Sequence, residues 1–327
     1  MGDKKRLTIA TWDYDHVRDF RLGPVCAEGI DVTWLVMDFH DIFARFIANR
    51  EWDVTEMSFA KFVTEVTRAD SDVIGLPVFI RRAFRFGFIF VNRKKGVTRP
   101  EDLRGKRIGI PEWGQTATVY MRGWLQHNVG IPLSEIDWVQ AGTNEPGRLE
   151  PVDMTLPAGV HLSEVTDRTL SDMLISGELD CVIAATPPKA FGQHLDVVRL
   201  FSDVRAVEES YYATTRIYPI MHIIAMRKEI LHQDPWIARN LYDAFEEARR
   251  RAMDRMRRGL DYPMPWLANH AAAIESTFGY DFFPYGIEQN RPTLELFLQY
   301  AHEQGVAHKQ VRPEDLFPKG IMIAGRA

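Results

Sequence analysis

A chain of 327 residues, 46% hydrophobic and 26% charged, is long enough for two compact lobes and too apolar to stay disordered. A formal net charge of -5 gives no field that would draw it to a phosphate backbone, so nucleic acid is not an expected partner. No apolar run is long enough to span a bilayer, and Met1 to Arg6 lead into the first strand without a signal-peptide core, so a cytoplasmic protein with no membrane partner is expected.

Leu7 to Trp12 reads as an apolar strand that ends in the polar residues Asp13, Asp15 and His16. A strand over 31–36 and a helix over 39–50 follow, with Asp38 or Asp41 able to cap the helix and Ile42, Phe43, Phe46 and Ile47 forming its buried stripe. The strand 53–57 carries Glu56 and leads to Ser58. Cys26 reads as a small packed side chain, and its distance from Cys181 excludes a metal-ligand spacing and suits reduced thiols. Phe84 to Asn92 is β-rich, and turn signals at Gly96 and Pro100 then deliver the chain to a second lobe.

There, Arg107 to Ile110 reads as a buried strand, Pro111 to Gly114 as a loop and Thr116 to Gln126 as a helix whose first-turn N–H groups suit an anion. An ordinary strand-loop-helix crossover stays open for this segment. A helix stopped by Gly177 and a strand over 181–184 repeat the pattern. Tyr218 to Met226 reads as the returning strand. Asp234-Pro235 opens a long helix with a stripe of Ile237, Leu241, Phe245, Ala248 and Ala252, ended by Gly259, and its basic run Arg249 to Arg258 reads as a solvated face. Thr293 to Gln304 is the last helix, before Gly305. These elements predict an α/β protein with a discontinuous first lobe, 1–92 and 216–327, a second lobe, 93–215, and a central cleft.

Several strings resemble a specific family. Trp52-Asp-Val-Thr-Glu-Met-Ser58, Leu76-Pro-Val-Phe79 with Arg82 and Arg85, Gly114-Gln-Thr-Ala117 with Arg122-Gly123, Tyr218-Pro-Ile-Met-His222 and Pro284-Tyr-Gly-Ile-Glu-Gln-Asn-Arg291 are similar to motifs of the 4,5-dihydroxyphthalate decarboxylase family. That family is an enzyme branch of the type 2 periplasmic-binding-protein-like fold. The resemblance implies decarboxylation of a phenolic aromatic acid by protonation of the ring carbon that bears the carboxylate. The family's pattern has a histidine after the second arginine, where this chain has Phe86-Gly87, which leaves the exact acid open.

Such chemistry needs an acid, a base and cationic holders for carboxylate. His16 is the first choice as proton donor, because neighbouring Asp13 and Asp15 can raise its pKa, with a surface-loop histidine as the open alternative. His222 lies on one strand face with Ile220 and Ile224, where a core histidine and a site histidine are both open, and the family motif favours the site. Glu56 can orient or deprotonate a phenol, and a capping or lobe-internal salt-bridge role stays equally open for it. Arg82, Arg85 and Arg291 offer planar bidentate grips on carboxylate, Ser58, Gln115 and Thr116 neutral hydrogen bonds, and Tyr285 a ring or hydroxyl contact. A surface ion pair is the competing role for each arginine. No His/Cys/Asp/Glu spacing signals a metal and no glycine-rich fingerprint signals a nucleotide, so cofactor-free chemistry on a small aromatic carboxylate is expected. A homo-oligomer stays open, as does a second reading, a receptor or sensor that binds an aromatic or carboxylic anion without altering it.

Overall fold

A computed structural model describes residues 4–150, 152, 154–259 and 262–321. In chain order the main elements are β1 (Lys5–Thr11), α1 (Arg18–Arg21), β2 (Ile30–Val36), α2 (Phe39–Asn49), β3 (Val54–Ser58), α3 (Phe59–Thr67), β4 (Val73–Arg82), β5 (Ile89–Asn92), β6 (Arg107–Ile110), α4 (Thr116–Trp124), β7 (Asp137–Gln140) and β8 (His161–Glu164). They continue with α5 (Leu170–Ser176), β9 (Cys181–Ile183), β10 (Val197–Arg199), α6 (Val204–Thr215), β11 (Ile220–Arg227), α7 (Lys228–Gln233), α8 (Trp236–Arg258), α9 (Leu267–Phe278) and α10 (Arg291–Glu303).

The chain forms two compact units, one from the described residues of 1–82, 222–294 and 311–327, the other from 83–221 and 295–310. The first holds a mixed sheet in the order β2-β1-β3-β11-β4, with β1 parallel to β2 and β3 and with β11 antiparallel to β3. As an interior strand, β3 is buried at all five positions. Asp38 caps α2 by accepting from His40 N–H at 2.9 Å, and Ile42, Phe43 and Phe46 are buried as the periodicity predicts. The whole expected stripe of α8 is buried, and Gly259 ends that helix at φ 68°. Phe20 and Phe245 pack edge to face at 5.2 Å, with Trp34 5.9 Å from Phe245.

The second unit holds the order β10-β5-β9-β6-β7-β8, over a core that includes Phe90, Val139, Leu170, Leu174 and Val182. Because β5 pairs with both β9 and β10, residues 83–92 pack with the second unit and not with the first. The last two-thirds of α10 and its following turn also belong there, so the chain passes between the units at four points, where two were expected. Arg122 accounts for this. Fully buried, it donates to Gln304 Oε1 at 2.8 Å and to Trp113 O at 2.6 Å, and Gln304 O accepts from Trp113 Nε1 at 2.9 Å.

Three local expectations are corrected. Cys26 is exposed, because Val25 takes the buried place in that turn. The arginines of α8 are not all solvated: Arg249, one position beyond the apolar stripe, is buried and paired with Glu246 and Asp281 at 2.6 and 2.7 Å. The helix at Thr116 ends at Trp124 and passes into a π-helical turn, Leu125–Val129, before Gly130.

Gly123 lies where α4 meets Tyr300 of α10, and a Cβ built on it would stand 2.1 Å from the Tyr300 ring. Tyr300 is buried and stacked on His127, 5.1 Å between ring centres. Gly123→Ala is expected to destabilise the folded chain by about 1–3 kcal/mol, read as a lower midpoint in urea unfolding, and Tyr300→Leu is expected to recover part of the loss.

Candidate active site

In the first unit, strand register gathers groups that lie far apart in sequence. On antiparallel β3 and β11, His222 opposes Ser58 and Ile224 opposes Glu56, so all four side chains share one face and Glu56 is the diagonal neighbour of His222. His222 Nδ1 bonds to Glu56 Oε1. Glu56 is fully buried and accepts two further hydrogen bonds, from Tyr14 OH at 2.6 Å and from Trp12 N–H at 2.8 Å. Burial pushes the Glu56 carboxyl up, but the hydrogen bond and charge of His222, joined by Trp12 and Tyr14, outweigh it and hold the group below the usual carboxylate range. Glu56 is therefore an ionised buried carboxylate. Burial and the Glu56 charge raise Tyr14 far above the usual phenol range, so its hydroxyl keeps its proton and donates.

His16 lies beside this group, its ring 5.3 Å from Tyr14 and 5.1 Å from Phe283. The expected rise in its pKa is overturned: burial between those rings lowers it to about 4. Asp15 and Glu56 pull the other way but do not outweigh the burial, and the two neighbouring aspartates are themselves paired, Asp13 with Arg21 at 2.9 Å and Asp15 with Arg255 and Tyr262. Neutral His16 bonds to the Ile80 backbone, and its Nε2 is buried with no partner among the described residues.

The predicted arginines have other engagements. Arg82 donates to Pro284 O at 2.8 Å and to Asn290 Oδ1, and Asn290 Nδ2 donates to Gly286 O at 2.7 Å, so the pair ties down the Pro284 to Asn290 turn. Arg291 is held by Glu288 and Glu314, both at 2.6 Å. Tyr285 is buried under Arg249, whose guanidinium lies 5.4 Å from its ring, and its hydroxyl has no partner among the described residues. The structure thus brings together Glu56, Ser58 and His222, with His16 adjacent, and assigns Arg82 and Arg291 to internal contacts.

Arg85, Gln115 and Thr116 lie in the second unit. Arg85 donates to Met221 Sδ at 3.1 Å and to Ala185 O at 3.3 Å. Phe86, at the family's histidine position, packs edge to face on Trp124 and Tyr211, each at 5.1 Å, and so serves a core. Gln115 and Thr116 open α4 as expected, and one residue before the cap Glu150 Oε2 accepts from Gly114 N–H at 2.7 Å.

Sequence reasoning missed Tyr14, Arg81 and the rings of Phe39 and Phe43, which lie 5.7 and 5.3 Å from the His222 ring. The doublet Arg81-Arg82 held a signal, because neighbours on a strand point to opposite faces. Among the described residues, no group of three or more His, Cys, Asp or Glu side chains is placed to hold a metal ion, and no helix is long and apolar enough to cross a membrane.

Against known proteins, the chain is 33% identical over 318 residues to a 4,5-dihydroxyphthalate decarboxylase of Comamonas testosteroni, covering 96% of each protein. The chain belongs to the 4,5-dihydroxyphthalate decarboxylase family. A namesake from Pseudomonas putida is 36% identical over 212 residues, 64% of this chain and 82% of its own. No protein-family profile matches. Solved structures establish the periplasmic-binding-protein-like fold: the aliphatic sulphonate binding protein SsuA of Escherichia coli (TM-score 0.53, 11% identity, 98% of this chain and 99% of that one) and the desulfurization enzyme DSZB (0.53, 16%, 97% and 98%). One of these is a binding protein and the other an enzyme, so the fold leaves the chemistry to the side chains of this family member.

His16 gives a test of the electrostatics. Its folded-state pKa lies below the unfolded value, so between pH 6.5 and about 4 the unfolded chain takes up a proton that the folded one refuses, and stability falls as pH falls through that window. The ring's burial makes this on the order of 2–3 kcal/mol. Urea unfolding of His16→Gln from pH 7 to 4 is expected to lose that much less stability than the parent, and equal pH slopes would overturn the assignment.

Proposed function

We propose that the chain is an aromatic-acid decarboxylase, a carbon–carbon lyase that converts 4,5-dihydroxyphthalate, the compound in its relatives' names, to protocatechuate and CO2. The observation that carries the proposal is the buried, ionised Glu56 bonded to His222 Nδ1. Loss of CO2 leaves an electron pair on the ring carbon, and a bare aryl anion is too unstable to form, so a proton must arrive at that carbon first. The ring then becomes a dienone-like cation stabilised by the hydroxyl para to it, and the C–C bond electrons return to the ring as CO2 departs.

Glu56 fixes the Nδ1–H tautomer of His222 and its charge favours the imidazolium, so proton delivery falls to Nε2. This makes His222 the donor and Glu56 its positioning residue. Neutral His16 is cast as a hydrogen-bond acceptor for a substrate hydroxyl through its unpartnered Nε2. Ser58, opposite His222, adds a neutral contact on the same face. A receptor that only binds its ligand has no use for a charged proton-handling pair, whereas an acid catalyst requires one.

The test is incubation of the pure protein with 4,5-dihydroxyphthalate in deuterium oxide. CO2 and protocatechuate with deuterium at the vacated carbon are expected. His222→Asn should lower kcat by roughly 10²-fold or more and Glu56→Gln by about tenfold or more, whereas His16→Asn should retain activity within about tenfold. A fully active His222→Asn enzyme would remove the pair from the mechanism.

A further inference from the structure

The roles of Arg82 and Arg291 leave the carboxylate grip unassigned, and a neighbour on β4 fills it. Arg81 is half-buried, lies with its guanidinium 5.7 Å from the Phe39 ring, and is near enough to Tyr14 for its charge to oppose the rise in that hydroxyl's pKa. Arg82, on the opposite strand face, points to Pro284 and Asn290. Among the described residues no carboxylate pairs with Arg81, whereas Arg50, Arg93, Arg249, Arg255 and Arg291 each have one. Glu56 does not serve it either, since Trp12, Tyr14 and His222 supply its donors.

A partly buried guanidinium beside an aromatic ring, one residue's reach from a proton-handling pair, has five N–H donors that suit a planar anion from outside the chain. We infer that Arg81 binds a carboxylate of an aromatic 1,2-dicarboxylate, and that this carboxylate is the one the product keeps. The choice follows from the chemistry. A bidentate grip stabilises negative charge, and the departing carboxylate must surrender its charge to become CO2, so gripping it would favour the ground state over the transition state. Gripping the retained carboxylate holds ground and transition states equally and leaves the other group beside His222. Phe39, which faces both Arg81 and His222, and Trp12, 6.5 Å from Phe39, supply ring faces for the aromatic body. The inference deepens the decarboxylase reading by naming the residue that selects a di-acid.

The experiment is calorimetric titration of the parent, Arg81→Met and Arg81→Lys with phthalate, protocatechuate and catechol, alongside steady-state kinetics on 4,5-dihydroxyphthalate. Arg81→Met is expected to weaken phthalate and protocatechuate by about 30-fold or more and Arg81→Lys by about tenfold, with catechol changed less than about threefold. The kinetic effect should fall on KM, with kcat held within about threefold. Unchanged phthalate affinity in a folded Arg81→Met protein overturns the inference, as does an equal loss for catechol, which would assign Arg81 to supporting Tyr14. A parent that binds phthalate through Arg81 but releases no CO2 supports the grip and refutes the reaction, while full turnover indifferent to Arg81 does the reverse.

Discussion

The structure of the first unit depends on keeping one charge buried. Glu56 has no exposed surface, and an ionised carboxylate removed from water is tolerated only when hydrogen-bond donors surround it. Those donors come from two flanking strands: Trp12 and Tyr14 follow β1, and His222 stands near the start of β11. The sheet order β1-β3-β11 is what allows this, since parallel β1 ends at the same sheet edge as β3 while antiparallel β11 begins there. Open α/β sheets present their ligand groups at that edge, and here it requires three chain segments to be in register before the charge is satisfied. Loss of any one donor would strand part of the charge, so folding and site assembly are the same event at this position.

The strings that suggested the family divide into two physical kinds. Glu-Met-Ser on β3 and the Met221-His222 step on β11 place the polar groups of the candidate site on one sheet face. The turn from Pro284 to Arg291 and the pair Arg122-Gly123 are scaffolding: Arg82 and Asn290 pin the first, and the second brings α10 against α4 through Gln304 and Tyr300. A motif's specificity to a family therefore does not mark its residues as chemical. Arginine, which can hold a substrate carboxylate or a backbone carbonyl with the same fork, is where the two kinds are most easily confused.

Local rules read well from the sequence and long-range ones did not. Asp38, Gly177 and Gly259 sit at helix ends because a cap needs only nearby backbone, and the stripe from Ile237 to Ala252 is buried because helical period is a local property. The two roles left open for Arg291 could not be separated in sequence because its partner Glu314 lies 23 residues away, and residues 83–92 were assigned to the first unit because strand pairing with β9 is invisible in a linear string. Glu56, Ser58 and His222 were each legible as polar residues on apolar strands, but their meeting depends on a register that a shift of one residue would undo.

The two histidines carry the lesson furthest. Each lies near carboxylates, and proximity in sequence favoured His16, which has Asp13 and Asp15 as neighbours. In the folded chain those aspartates are paired with Arg21 and Arg255, and desolvation between Tyr14 and Phe283 outweighs the upward pull of Asp15 and Glu56 on the imidazole. Glu56 has no arginine among its bonded partners and directs its charge at His222. What separates the two imidazoles is thus not how many carboxylates are near in sequence but which carboxylate the folded chain bonds directly to the ring.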